Sequence, residues 1–211
     1  MVRTKLIAIT LLLIAITGCS SSLSKEECLN ADWYIIGLED GSSGFPLASI
    51  GRHREACAKI NVSPDISQYE AGLNKGYESY CTRASGYTVG TSGRKYHGVC
   101  SDEAGRIFNK AFNDGRNLYD LRLQQGRIHH QMDAERDGIA ESLETIAEYE
   151  DQIVLAETTA EERRELLDSI KKLQTYIVEA NASLDILYVE HEKLQYAVED
   201  LEKYHQSLGY Q

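Results

Sequence analysis

The sequence predicts a mainly α fold: a small disulfide-bonded head of short helices and a Gly-rich loop, followed by a long antiparallel coiled-coil hairpin. Three observations carry this expectation. Cys28, Cys57, Cys81 and Cys100 cluster in residues 28–100, together with the single Trp and both Pro of the 211-residue chain. Apolar residues then alternate at spacings of four and three from Leu166 to Leu208. Between the two helical halves stands Thr159, with Glu162 three residues on, the signature of a helix start.

At the N-terminus, Arg3 and Lys5 precede an apolar run over residues 6–16. A bilayer span needs about 20 apolar residues, so this run has the length of a signal-peptide core instead. It ends in Ile16-Thr17-Gly18-Cys19, which resembles the lipobox of bacterial lipoproteins. That resemblance implies a signal peptide over residues 1–18, lipidation (diacylglycerol and palmitate) at Cys19, and a polar tether over residues 19–27. Ser20 after the lipidated Cys implies sorting to the outer membrane, with the chain facing the periplasm. The membrane is thus an expected partner through the lipid, and multiple acylation is what makes such an anchor firm.

The chain carries a net charge of −11, and residues 101–211 hold 12 Lys+Arg against 24 Asp+Glu. Nucleic-acid binding needs cationic contacts to phosphate, so that class is excluded. Anionic headgroups attract such a surface no better. The expected macromolecular partner is an envelope protein.

With Cys19 acylated, four cysteines remain in an oxidising compartment, which reads as two disulfides. Three connectivities are possible. Pairing sequence neighbours, Cys28 with Cys57 and Cys81 with Cys100, closes the shortest loops and is favoured. No Cys-x2-Cys spacing suggests zinc, and no metal or other cofactor is expected. His129 and His130 with Asp133 form only a weak metal motif, since adjacent helical residues point about 100° apart.

The head, residues 28–101, contains two copies of a degenerate repeat, and a third follows it. Tyr34-x2-Gly37-Leu38-x2-Gly41, Tyr69-x2-Gly72-Leu73-x2-Gly76 and Phe108-x2-Ala111-Phe112-x2-Gly115 share one pattern. The aromatic residue and the apolar residue four on share a helical face, and the small residues admit a neighbouring backbone. Each copy is expected to be a short helix packed on its siblings. Residues 82–99 carry Gly86, Gly90, Gly93 and Gly98 and read as a turn-rich loop.

Residues 102–211 read as the hairpin, with helices near 102–157 and 160–207. Positions Leu166, Ile170, Leu173, Ile177, Ala180, Leu184, Leu187, Leu194, Val198, Leu201 and Leu208, with His191 and His205 in the gaps, keep a 3.5-residue period, which implies a left-handed coiled coil. The first arm is looser: Met132, Ile139, Ile146, Ile153 and Ala160 recur every seven residues, with Ile128, Leu143 and Tyr149 nearby, and Gly126 and Gly138 interrupt it. A seam His that charges near pH 5 to 6 would loosen the hairpin there, with His191 the residue to test.

Trp33-x3-Gly37-x2-Asp40-Gly41, Tyr69-x2-Gly72-x3-Gly76, Tyr80-Cys81 and Tyr96-x-Gly98-x-Cys100 resemble an uncharacterised family of Gram-negative lipoproteins known as a domain of unknown function. The resemblance covers roughly residues 28–120, and Thr82 stands where members commonly carry Pro. It implies location and architecture, and no activity.

The sequence contains no Ser-His-Asp order, Gly-x-Ser-x-Gly elbow or His-Glu-x-x-His motif. Asp40 is the candidate acid of the head, a general base if burial raises its pKa, although Asp-Gly is also turn chemistry. Arg94, Tyr96 and His97 form a candidate binding cluster for a carboxylate or cell-wall glycan. His53, near Cys57, reads as a surface residue. The expected function is that of a non-enzymatic outer-membrane lipoprotein acting structurally or as a docking protein through its acidic coiled coil. The alternatives are an envelope glycan-binding head and a cell-wall enzyme using Asp40.

Overall fold

A computed structural model describes residues 23–210. The expected signal peptide, Cys19 and the start of the tether lie outside the described residues. Those described form seven α-helices and one short 3-10 turn, in two compact units that divide between Ser79 and Tyr80. Residues 80–101, read from the sequence as head, therefore share a unit with the hairpin.

In the first unit, α1 (Lys25–Leu29) starts at Ser24, whose hydroxyl accepts from the Glu27 amide while the Glu27 carboxylate accepts from the Ser24 amide. This reciprocal cap corrects the tether expectation, since residues 25–27 are helical and Leu23 packs on the core. The helix α2 (Trp33–Ser42) is capped by Asp32. The 3-10 turn Leu47–Ser49 leads into α3 (Ile50–Ala58), and α4 (Ile66–Tyr80) follows. Cys28 is bonded to Cys57. That disulfide, with Trp33, Tyr69 and Leu73, forms the core.

Contact between α2 and α4 is made by backbone. A methyl group at Gly37 would lie 2.8 Å from the Tyr69 carbonyl carbon, and one at Gly72 would lie 2.8 Å from that of Tyr34. Gly41 and Gly76 are equally closed, against Leu73 and against Leu38 and Gly41. The first two copies of the repeat are thus a reciprocal helix pair.

In the second unit, α5 (Arg83–Thr91) replaces half of the expected loop over residues 82–99. Thr82 caps it by accepting from the Ser85 amide. Its glycines serve close packing, not turns: a methyl group at Gly86 would meet the Phe108 carbonyl, and one at Gly90 would lie 2.8 Å from the Arg116 amide nitrogen. Gly115 is closed in return by the Tyr87 carbonyl. The third copy therefore pairs with a fourth, Arg83-x2-Gly86-x3-Gly90, and not with its first two siblings. Cys81 is bonded to Cys100, so both favoured pairings are present.

The two units repeat one design. Gly37-Leu-Glu-Asp-Gly41-Ser-Ser-Gly44 aligns with Gly86-Tyr-Thr-Val-Gly90-Thr-Ser-Gly93, and Gly44 and Gly93 both adopt positive φ, 77° and 69°. That left-handed conformation ends each helix and favours glycine. In each case the residue after the last glycine of the partner's repeat copy, Gly76 or Gly115, holds the following loop. Tyr77 donates to the Phe45 carbonyl at 2.8 Å, and Arg116 donates to the Gly93 carbonyl at 3.0 Å. Tyr69 corresponds to Phe108, and Asp40 corresponds to Val89.

The hairpin follows as expected. Helix α6 (Asp102–Ile153) and helix α7 (Ala160–Ser207) hold 52 and 48 residues. At 1.5 Å per residue the arms are about 78 and about 72 Å long. Arg122 donates to Glu202 at 2.6 Å, Arg136 to Tyr188 at 2.5 Å and Ser183 to Glu135 at 2.9 Å, which sets two antiparallel arms of one chain. The Thr159 and Glu162 capping box is formed. All positions of the four-three alternation in α7, His191 and His205 included, are buried or half-buried. In α6, Ile128, Met132 and Ile146 are buried, whereas Leu143 faces solvent and Ala160 is the exposed first residue of α7. Gly126 and Gly138 do not interrupt α6; Gly138 leaves room for the Tyr176 hydroxyl.

Candidate functional site

Asp40 sits inside α2 and is not a turn residue. Its Oδ2 accepts from the Tyr69 hydroxyl at 2.6 Å and lies 2.9 Å from His53 Nε2, while Arg52 approaches Oδ1 at 3.5 Å. Burial pushes the carboxyl upward, but the hydrogen bonds from His53 and Tyr69 and the charge of Arg52 outweigh it and hold the group below its ordinary 3.8. The expected raised pKa is therefore corrected in sign. Burial first, and then the Asp40 carboxylate, raise the Tyr69 hydroxyl well above the usual phenol range. His53 corrects the surface expectation, being 5% exposed. With Asp40 ionised, Nε2 carries the proton, and the buried Nδ1 has no partner among the described residues. Arg52 also stacks on the Phe45 ring at 4.4 Å.

Arg94, Tyr96 and His97 lie in the second unit, so they and Asp40 belong to different units. They do not form one presented cluster. The Tyr96 oxygen accepts from the Cys100 amide at 2.9 Å, and its ring packs on Phe108 at 4.5 Å, inside the disulfide loop. Arg94 and His97 are exposed, and Arg94 donates to the Ser92 hydroxyl at 3.1 Å. Along α6, His129 faces Asp133 at 3.4 Å, and no group of three metal-ligating side chains occurs among the described residues. No helix among them is long and apolar enough to cross a membrane.

Sequence reasoning missed a latch at the base of the hairpin. Tyr210 stacks on Tyr87 with ring centroids 4.3 Å apart and 4° between planes, and the Arg83 guanidinium lies 4.5 Å from the Tyr210 ring centroid. The Tyr210 hydroxyl donates to Asp114 at 2.7 Å, and Arg83 donates to the Leu208 carbonyl. His205 Nδ1 lies 3.2 Å from the Tyr87 hydroxyl. Burial lowers the His205 pKa below 6.5, opposed by the neighbouring Asp114 carboxylate and assisted by Lys110. The end of α7 is thereby pinned to α5 and α6.

At the far end of the hairpin, residues 153–156 read Ile-Val-Leu-Ala. Val154 is 76% exposed and Leu155 45% exposed. Beside them is a cavity of about 410 Å³, lined by Tyr149, Leu155 and Leu166 with Glu157, Glu162 and Glu165 among its polar groups.

Two glycine-crossed helix pairs, one in each unit and each unit holding one disulfide, with the second pair extended into a hairpin, define a disulfide-braced protein that is helical throughout its described core. Residues 32–117 match a family described as "Protein of unknown function (DUF2799)". That segment runs from the cap of α2 to just past Gly115, so it contains both helix pairs and leaves the distal hairpin outside. No curated protein and no solved structure matches the chain.

Proposed function

We propose that the protein is a non-enzymatic lipoprotein of the outer membrane whose hairpin is a docking arm for another envelope protein. The observation that carries this reading is the arm itself, about 75 Å of coiled coil with apolar side chains on the side of α7 that does not face its seam. Leu167, Val178 and Val189 recur every eleven residues, three helical turns, and are 56%, 70% and 52% exposed; Tyr196, 64% exposed, continues the stripe. Ile186, 69% exposed, lies within one turn of Val189 and lines one surface groove with it, and clustered exposed apolar side chains mark interaction surfaces. The anchor in this reading is Cys19. The non-enzymatic part is supported by the commitments of the candidate residues: three donors from its own unit surround Asp40, and Tyr96 holds the Cys100 amide.

The test is cross-linking in the native envelope followed by mass spectrometry. The full chain is compared with a shortened-arm variant in which residues 137–187 are replaced by a short Gly/Ser turn. Arg136 and Tyr188 already touch, so the variant retains the latch. One protein captured only by the full arm supports docking. Equal capture by both chains refutes it.

A further inference from the structure

We propose that the distal tip of the hairpin binds a cationic, amphipathic segment of a protein partner, with Glu157 and Glu165 taking its Lys or Arg and the adjoining cavity taking its neighbouring apolar side chain. This deepens the docking-arm reading and rests on it.

Two observations meet at the tip. The first is the apolar run over residues 153–156. A helix-to-helix turn in water is ordinarily polar, and exposed runs of three or four apolar residues are destabilising features unless they serve a function. Here Val154 and Leu155 stand at the point of the arm farthest along both helices, 76% and 45% exposed. The second is the concave site beside them. Its volume of about 410 Å³ falls in the range of ligand pockets. Tyr149 from the last turn of α6, Leu155 from the turn and Leu166 from α7 supply its apolar lining.

Its polar groups select the charge of the occupant. Residues 148–165 hold seven carboxylates and two arginines. Glu157 and Glu165 form no ion pair among the described residues. Glu162 is already engaged with the Thr159 amide and hydroxyl. Of the two arginines, Arg163 is turned inward, donating to the Thr158 carbonyl at 3.1 Å and the Leu155 carbonyl at 2.8 Å. No cation lines the cavity. A guanidinium or ammonium group between Glu157 and Glu165 supplies the missing charge, and charge-assisted hydrogen bonds to carboxylates are the strong ones.

The tip is also preorganised. Arg163, the capping box and the Thr158 hydroxyl bonded to the Gln152 carbonyl at 2.7 Å hold the turn before anything binds, which lowers the ordering cost of association. The same acidity disfavours insertion of the apolar run among anionic headgroups; a protein segment is the occupant that satisfies both features.

The experiment uses the purified full chain and a fluorescein-labelled Arg-Leu-Arg-Leu-Arg peptide, followed by fluorescence anisotropy. The expected result is saturable binding that weakens at least about tenfold in the Glu157→Gln/Glu165→Gln double variant and in Leu155→Ser, for a loss of about 1.4 kcal/mol or more. A Glu199→Gln/Asp200→Asn control, with the same charge change elsewhere on α7, retains binding. A peptide with citrulline in place of arginine does not bind. Equal weakening in the tip and control variants, or no saturable binding to the wild-type chain, overturns the proposal. So does flotation of the wild-type chain with phosphatidylcholine or phosphatidylglycerol vesicles that is lost in Leu155→Ser, because the occupant is then a membrane. Failure of the docking-arm reading shows separately, as loss of arm-dependent cross-linking in the envelope.

Discussion

The internal duplication allows one half of the molecule to test the other. Asp40 and Tyr69 in the first unit stand where Val89 and Phe108 stand in the second, and all but Asp40 are at most 2% exposed. The scaffold therefore accommodates a polar or an apolar pair. Asp40→Val alone strands two buried donors, the Tyr69 hydroxyl and His53 Nε2–H. Each costs about 1–3 kcal/mol, for about 2–6 kcal/mol in total. Tyr69→Phe alone removes one hydrogen bond to an ionised acceptor, about 1.5–3 kcal/mol. The double variant installs the apolar pair and strands only His53, so its expected cost is about 1–3 kcal/mol. It should fall short of the sum of the single costs by at least about 2 kcal/mol. Trp33 is the only tryptophan and lies in the core of the first unit, so urea unfolding followed by its fluorescence reports on that unit. Single costs that add to within about 0.5 kcal/mol would mean the two residues act independently and would refute the network.

Three further outcomes follow from the same geometry. Gly72→Ala forces a methyl group against the Tyr34 carbonyl and should cost about 1–3 kcal/mol by overpacking. Gly51→Ala, with nothing within 4 Å, should be neutral or stabilise by up to about 1 kcal/mol; equal effects in Trp33-monitored unfolding would contradict the crossing. His205, whose folded pKa is lowered, contributes stability that is full above its unfolded pKa of about 6.5 and declines as pH falls below it, because the unfolded state then binds the proton more readily. Circular-dichroism melts should lose more between pH 7.5 and 5.5 in the wild type than in His205→Gln, and identical losses would remove His205 from the pH response. Tyr210→Ala takes away a 5%-exposed ring that stacks on Tyr87 and packs against Arg83. Hydrogen exchange should then rise at the end of α7 and not at residues 170–184; uniform exchange changes would argue against a local latch.

How much was legible depended on the kind of contact. The hairpin was readable because a coiled-coil seam repeats over many turns, so single exceptions such as His191 did not hide it. The capping box was readable because it is a four-residue interaction. Helix α5 was missed because glycine density usually signals turns; the shared pattern over residues 37–44 and 86–93 was the available clue, and it became meaningful once both glycine pairs were seen pressed against another helix. His53 is not legible because its neighbours Arg52 and Arg54 are polar, and its burial depends on Asp40 and Tyr69, which lie on other helices. The latch was illegible for the same reason: Tyr87, Asp114 and Tyr210 are separated by up to 123 residues in the chain.

By itself the sequence determined the helical class, the favoured cysteine pairs, the place of the hairpin turn and the strongly acidic surface. Those properties are local or periodic, governed by residues within a few positions of one another or by covalent chemistry with few alternatives. Tertiary structure alone decided which glycines face which backbone, that Asp40 stays ionised, that His53 and His205 are buried, and that Glu157 and Glu165, without ion pairs among the described residues, share one cavity at the tip with Tyr149, Leu155 and Leu166. Each of these depends on desolvation and on contacts between distant segments, and both come into being only when the chain is packed.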